Sequence, residues 1–97
     1  MMEIDVRCAP AGAGWRCAVT VGGQRDTSQH EVTVSTADAD DLAAAQDQVG
    51  VERLVEESFD FLLERESPGS ILSSFDIRDI SRYFPEYEHE IRSRLAP

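Results

Sequence analysis

No lysine occurs in this chain: all nine basic residues are arginine, set against nineteen aspartates and glutamates, for a formal net charge of −10. GC-rich coding accounts for that choice and for the abundant Ala, Asp and Val; a salt-adapted surface, kept hydrated by its acidic excess, is the sharper alternative. A basic stripe is missing too, since residues 1 to 36 hold three arginines against four carboxylates, a net of −1, and the remainder carries −9. So negative a surface repels phosphate backbones and anionic headgroups, which excludes direct nucleic-acid binding and membrane association as expected functions. No run approaches the ~18 apolar residues of a bilayer span. Met1 to Pro10 lacks the basic start and apolar stretch of a signal peptide, so a cytoplasmic location is expected.

Cysteine is scarce, with Cys8 and Cys17 alone, and neither a second cysteine pair nor a histidine pair stands at zinc-ligand spacing. In a reducing compartment the two read as free, buried thiols, with a redox bridge as the alternative. Hydrophobic residues at 41% and charged residues at 29% match ordinary globular domains, so the chain is expected to fold rather than stay disordered. At 97 residues it forms one domain, residues 1–97, burying roughly 65% of its unfolded surface.

Three segments alternate with a period of two: Ile4, Val6 and Cys8; Trp15, Cys17, Val19 and Val21; His30, Val32 and Val34. The intervening Ala9 to Gly14 and Gly22 to Gln29 are rich in Gly, Pro and small polar residues, so both connections read as hairpins. Tight turns at Gly12-Ala13 and Arg25-Asp26 would set Val6 and Val32 on either side of Val19. Both registers keep the apolar side chains on one face. The expected fold is α+β: a three-stranded antiparallel meander in residues 1–35, covered on one face by three to five helices from residues 36–97.

The period changes after Ser35. Thr36 to Asp41 supplies cap residues and early negative charge for a short helix over about Ala39 to Gln48, stopped by Gly50. Val51, Leu54, Val55, Ser58, Phe59, Leu62 and Leu63 then recur at helical spacing, and Ser67-Pro68-Gly69 ends that helix. Ser67 and Pro68 open another short helix through Ile71 and Leu72, and Asp76, with Asp79 at the third position, caps the next. Ile77, Ile80, Phe84, Tyr87, Ile91 and Leu95 form one stripe that runs through Pro85, where a break is expected before a final helix to about Leu95.

Convergent chemistry is not visible. No Ser-His-Asp order, activated cysteine with a histidine partner, phosphate loop or His-x-x-x-His pair can be assembled, and neither a catalytic residue nor a metal or cofactor site is assigned. Gly12-Ala13-Gly14 lies between strands, so it is a turn rather than a phosphate cradle. Asp38, Asp40 and Asp41 lack the glycine and distal glutamate of a calcium loop and read as stabilisers of a helix start. His30 on an apolar strand face reads as a hydrogen-bonded core residue, and His89 as part of a solvated helix face rather than a weak divalent-ion site.

The run Ser58-Phe59-Asp60-Phe61-Leu62-Leu63-Glu64-Arg65-Glu66, followed by Ser70-Ile71-Leu72 and Tyr83-Phe84-Pro85-Glu86-Tyr87, resembles the C-terminal half of a group of small uncharacterised bacterial proteins. The resemblance spans roughly residues 51 to 91 and implies the fold boundary, with no activity attached. Phe61 lies off the main helical stripe; with Tyr83 and Tyr87 it could form an exposed aromatic patch for a partner, the alternative being that a small domain buries a broad arc. The leading expectation is a non-catalytic protein-interaction module or accessory subunit that binds a protein partner or pairs as a homodimer. The rivals are a small enzyme or ligand-binding protein with a site between sheet and helices, drawing on His30, Cys17 and Arg16 or on carboxylates near His89, and an acidic nucleic-acid mimic.

Overall fold

The structure, a computed structural model, describes residues 3–22 and 27–96. The period-two segments become β1 (Glu3–Ala11), β2 (Gly14–Gly22) and β3 (Thr27–Ser35), antiparallel to one another. Gly12 takes φ 58° while Ala13 stays at negative φ, the pattern of a two-residue type II′ turn, so Ala11 faces Gly14 and Val6 faces Val19 as the sequence suggested. The second hairpin differs. Val19 faces His30 rather than Val32, a slip of two residues that keeps every side chain on its face; the Arg25-Asp26 turn itself lies outside the described residues. Cys8, Cys17, Val19, Val21, His30, Val32 and Val34 are buried beneath the helices, whereas Asp5, Arg7, Arg16, Ala18, Glu31 and Thr33 are exposed on the other face.

The sheet has a fourth member, β4 (Ser74–Asp76), which corrects the expected three-stranded meander to a mixed sheet of order β1-β2-β3-β4. β4 runs parallel to β3, a pairing that requires a long crossover, and the first two helices supply it. Helix α1 (Thr36–Ala43) starts on Ser35, whose Oγ accepts the Asp38 N–H at 3.0 Å. It stops well short of Gln48, because Ala44 takes the left-handed conformation at φ 49°. Helix α2 (Gln48–Leu63) is capped by Asp47, whose Oδ1 accepts the Gly50 N–H at 2.9 Å. Gly50, expected as a stop, sits inside the first turn of α2 because a Cβ there would stand 2.9 Å from Ala45 Cβ: it admits close packing of the preceding loop.

Helix α2 is buried along two flanks. Leu54, Ser58 and Phe61 are spaced on one line, and both Ser58 and Phe61 meet Tyr87 of the last helix; Val51, Val55, Phe59 and Leu62 are buried beside them. A single 3₁₀ turn at Pro68–Ser70 takes the place of the helix expected through Leu72. Asp76 and Asp79 form the reciprocal capping box foreseen from their spacing, opening a 3₁₀ turn (Ile77–Asp79) that continues into α3 (Ile80–Tyr83). Pro85 breaks the stripe as anticipated: Phe84 is extended at φ −133° and ψ 91°, and α4 resumes at Tyr87–Leu95. Among the described residues no helix is long and apolar enough to cross a membrane.

Candidate functional site

The proposed aromatic patch does not form. Phe61 and Tyr87 are fully buried, Phe61 with its ring edge-on to Phe84 at 5.8 Å and to Tyr87 at 5.3 Å, and with the Arg65 guanidinium 3.7 Å above it. The extra width of the α2 arc is consumed by α4, not offered to solvent. Tyr87 hydroxyl stands 2.6 Å from Ser58 Oγ, which donates to the Leu54 carbonyl at 2.7 Å, so the polar tip of the ring is satisfied inside the core. Burial, opposed by the Ser58 hydrogen bond, raises the Tyr87 pKa well above the usual phenol value.

Tyr83 remains outside at 67% exposure, and it stands on the rim of an apolar groove of about 130 Å³. The groove runs between the end of α2 and α3: Leu62, Ile71, Phe75, Ile80 and Phe84 form its apolar lining, and Leu72, 52% exposed, also lines it. Its position follows from the fold. Pro68 and the 3₁₀ turn reverse the chain after α2, and β4 then pins the return segment to the sheet. His30 tightens that attachment by donating its Nδ1–H to the Leu72 carbonyl at 2.7 Å, while its Nε2 lies 2.9 Å from Ser28 Oγ. The histidine is therefore the hydrogen-bonded core residue that the sequence indicated, and it fixes the backbone of one groove wall.

Two carboxylates border the groove, Glu66 and Asp79. Asp79 is committed to its capping box and to Arg82 at 3.7 Å, which leaves Glu66 as the carboxylate there without an ion-pair partner among the described residues. An opening of this size accepts roughly one aromatic ring or branched aliphatic side chain. Leu72 was expected at the end of a short helix from Pro68; its exposure was not legible because the 3₁₀ turn ends before it.

The acidic run in α1 has a role beyond starting a helix. Arg78 is bonded to Asp38 at 2.6 Å, to Asp41, and to Glu88 of α4 at 2.9 Å, and Arg92 reaches Asp41 at 3.1 Å. These bonds, with Asp38 first, raise the Arg78 pKa, and the Arg78 bond holds the Asp41 carboxyl below its usual range. Asp40 stays exposed. The network ties α1 to α4 and spends its charges internally.

The residues that an enzymatic reading would need do not converge. Arg16 is on the exposed face, paired with Glu31 at 3.1 Å, while His30 and Cys17 are on the covered face. Cys17 is bonded to Cys8 in a disulfide with Cα atoms 4.0 Å apart, which corrects the expectation of two free thiols. The Gly12-Ala13 turn sets them directly opposite each other as a non-hydrogen-bonded pair, where cross-strand side chains approach most closely. His89 is exposed on α4. Among the described residues no group of three or more His, Cys, Asp or Glu side chains stands close enough to hold a metal ion. No family model, no curated protein and no solved structure matches this chain.

Proposed function

We propose that this chain is a non-catalytic protein-interaction module that captures a partner through the groove between α2 and α3, seating one large apolar side chain flanked by a lysine or arginine. The observation that carries the reading is the pairing of two large exposed hydrophobics, Leu72 and Tyr83, with an otherwise apolar cleft. Exposed apolar groups scattered singly need no explanation, but a concave cluster does. The flanking charge follows from Glu66 and from the net −10 of the chain, which draws a basic segment in and repels an acidic one. Covering a Leu or Tyr side chain contributes about 1.5–3 kcal/mol, so a partner with a single anchor binds weakly and reversibly.

A displayed library of random peptides selected on the folded protein tests this. Enriched sequences are expected to carry Phe, Leu, Ile or Trp next to Lys or Arg. Leu72→Glu and Tyr83→Glu should each weaken their binding at least about tenfold, and Glu66→Lys should relax the preference for a basic neighbour. No enrichment, or peptides that bind the Leu72 and Tyr83 variants as well as the parent, would refute the assignment.

A further inference from the structure

The two sides of the sheet end differently. β4 covers β3 at Glu31–Thr33, whereas among the described residues β1 pairs with no strand but β2. Because Ala11 and Gly14 close a two-residue turn, the odd residues of β1 exchange hydrogen bonds with β2. The even ones, Ile4, Val6, Cys8 and Pro10, therefore turn their backbone groups outward. The end nearest the turn is guarded: Pro10 has no N–H, and the Cys8 N–H is donated to Glu52 Oε2 of α2 at 2.8 Å. Ile4 and Val6 have no such cover among the described residues.

We propose that this edge pairs with β1 of a second copy of the chain, antiparallel and two-fold symmetric about Val6. The register follows from charge. Outward groups can face each other when the axis falls at Ile4, Asp5, Val6 or Arg7. An axis at Ile4 sets Glu3 against Asp5; one at Asp5 sets Glu3 against Arg7 but also Asp5 against itself at the centre; and one at Arg7 sets Arg7 against itself, so the axis at Val6 alone brings no like charges together. Like charges directly opposite on neighbouring strands are destabilising. Only the axis at Val6 joins Asp5 to Arg7 of the second copy, twice over, in non-hydrogen-bonded positions where side chains approach closely. Both residues are well exposed on the open face, their side chains 3.7 Å apart within one chain, so each is available to a second copy.

In that register Val6 exchanges two backbone hydrogen bonds with its counterpart, and each Ile4 N–H meets the Cys8 carbonyl of the other copy. The Ile4 carbonyl claims the Cys8 N–H, so Glu52 leaves it and follows Gln48, 3.1 Å away, toward solvent. Glu52 thus acts as a latch that competes with dimerisation. The contact uses the weakly charged part of the chain, residues 1 to 36 with a net of −1, and repulsion between the acidic helices is screened beyond ~8 Å at physiological salt. The dimer doubles the sheet, and β4, with the groove beside it, stands at each far end, an arrangement suited to two-site capture.

Light scattering and sedimentation equilibrium at physiological salt test the pairing. The parent chain should dimerise in a concentration-dependent manner. Asp5→Arg and Arg7→Asp, folded by circular dichroism, should each weaken dimerisation at least about tenfold, since both cross-strand pairs become repulsive. An equimolar mixture of the two variants should recover the dimer, because every position then again joins an arginine to an aspartate. Glu52→Ala should tighten it by removing the latch. A parent that stays monomeric through high micromolar concentration, an Asp5→Arg variant that dimerises like the parent, or a mixture that fails to recover would each overturn the proposal. These positions are at the opposite end of the sheet from the groove, so either reading can fail alone.

Discussion

Tyr87→Phe isolates one hydroxyl in an otherwise unchanged core. The ring keeps its edge contact with Phe61 at 5.3 Å, and only the bond to Ser58 Oγ at 2.6 Å is lost. Ser58 spends its single proton on the Leu54 carbonyl, so Tyr87 is the donor, and the substitution strips an acceptor of its partner where both residues have no exposed surface. Losing such a buried bond costs about 1–2 kcal/mol, or roughly 4–16 °C in a domain of this size. Ser58→Ala leaves the Tyr87 hydroxyl without an acceptor, at a cost of about 1–3 kcal/mol, and the double variant should cost less than the sum by about 1 kcal/mol. Tyr83→Phe, on the exposed residue, should change stability by less than ~0.5 kcal/mol. Urea midpoints for the four variants and the parent measure all of this. A Tyr87→Phe midpoint equal to that of Tyr83→Phe, or strict additivity of the pair, would mean that α4 is not docked on α2 through this bond.

Thiol counting on unreduced, denatured protein should find none, and two after reduction; reduction should lower stability by about 2–3 kcal/mol, the loop-closure entropy for cysteines nine residues apart. Ala44→Gly should stabilise by about 0.5–1 kcal/mol in chemical denaturation, because the exposed Ala44 holds φ 49° with a side chain that disfavours it. Bonds to Arg78 and Arg94 hold Asp41 and Glu64 below their ordinary values of 3.8 and 4.5. A depressed folded pKa contributes stability that is present above the unfolded value and lost as pH falls through the folded one. Thermal melts of the parent should therefore decline as pH drops below about 4.5, and the decline should be shallower in Asp41→Asn/Glu64→Gln.

The layers of this fold were written in side-chain period, because a strand buried on one face must alternate and a docked helix must repeat near every fourth residue. Period does not encode everything. The second hairpin slipped by two because any even slip preserves alternation, and only the turn geometry distinguishes Val19 opposite His30 from Val19 opposite Val32. β4 was invisible because three residues, Ser74–Asp76, are too few to show a period, and their pairing with β3 comes from the crossover. Exposure or burial of Phe61 and Tyr87 was left open for a related reason, and burial is what the structure shows: helical spacing locates a residue on an arc, but whether that arc meets water or another helix depends on where α4 docks. The cysteines were placed correctly across the first hairpin; whether two thiols so placed bridge depends on redox conditions that side-chain period does not encode. Of the groove, Tyr83 was named from sequence, and the signal that could have found the rest was its place off the Ile80, Phe84 and Tyr87 stripe, facing the segment after Pro68.

The arginine-only basic complement has a structural use whatever its origin. Arg78 touches carboxylates on α1 and α4 together, Arg94 joins α4 to Glu64 at 2.7 Å, and Arg65 joins the end of α2 to Glu86 at 3.4 Å. A planar guanidinium with five fixed donors can serve several carboxylates at once, which the point charge of a lysine does less well. The links run between segments far apart in sequence, where burial alone leaves the relative slide of short helices such as α3 and α4 loosely specified. Because these cations are consumed inside the fold, the negative excess is left on the outside, Glu66 at the groove among it. The same distribution that staples the helices therefore sets the sign of the partner that the groove would accept.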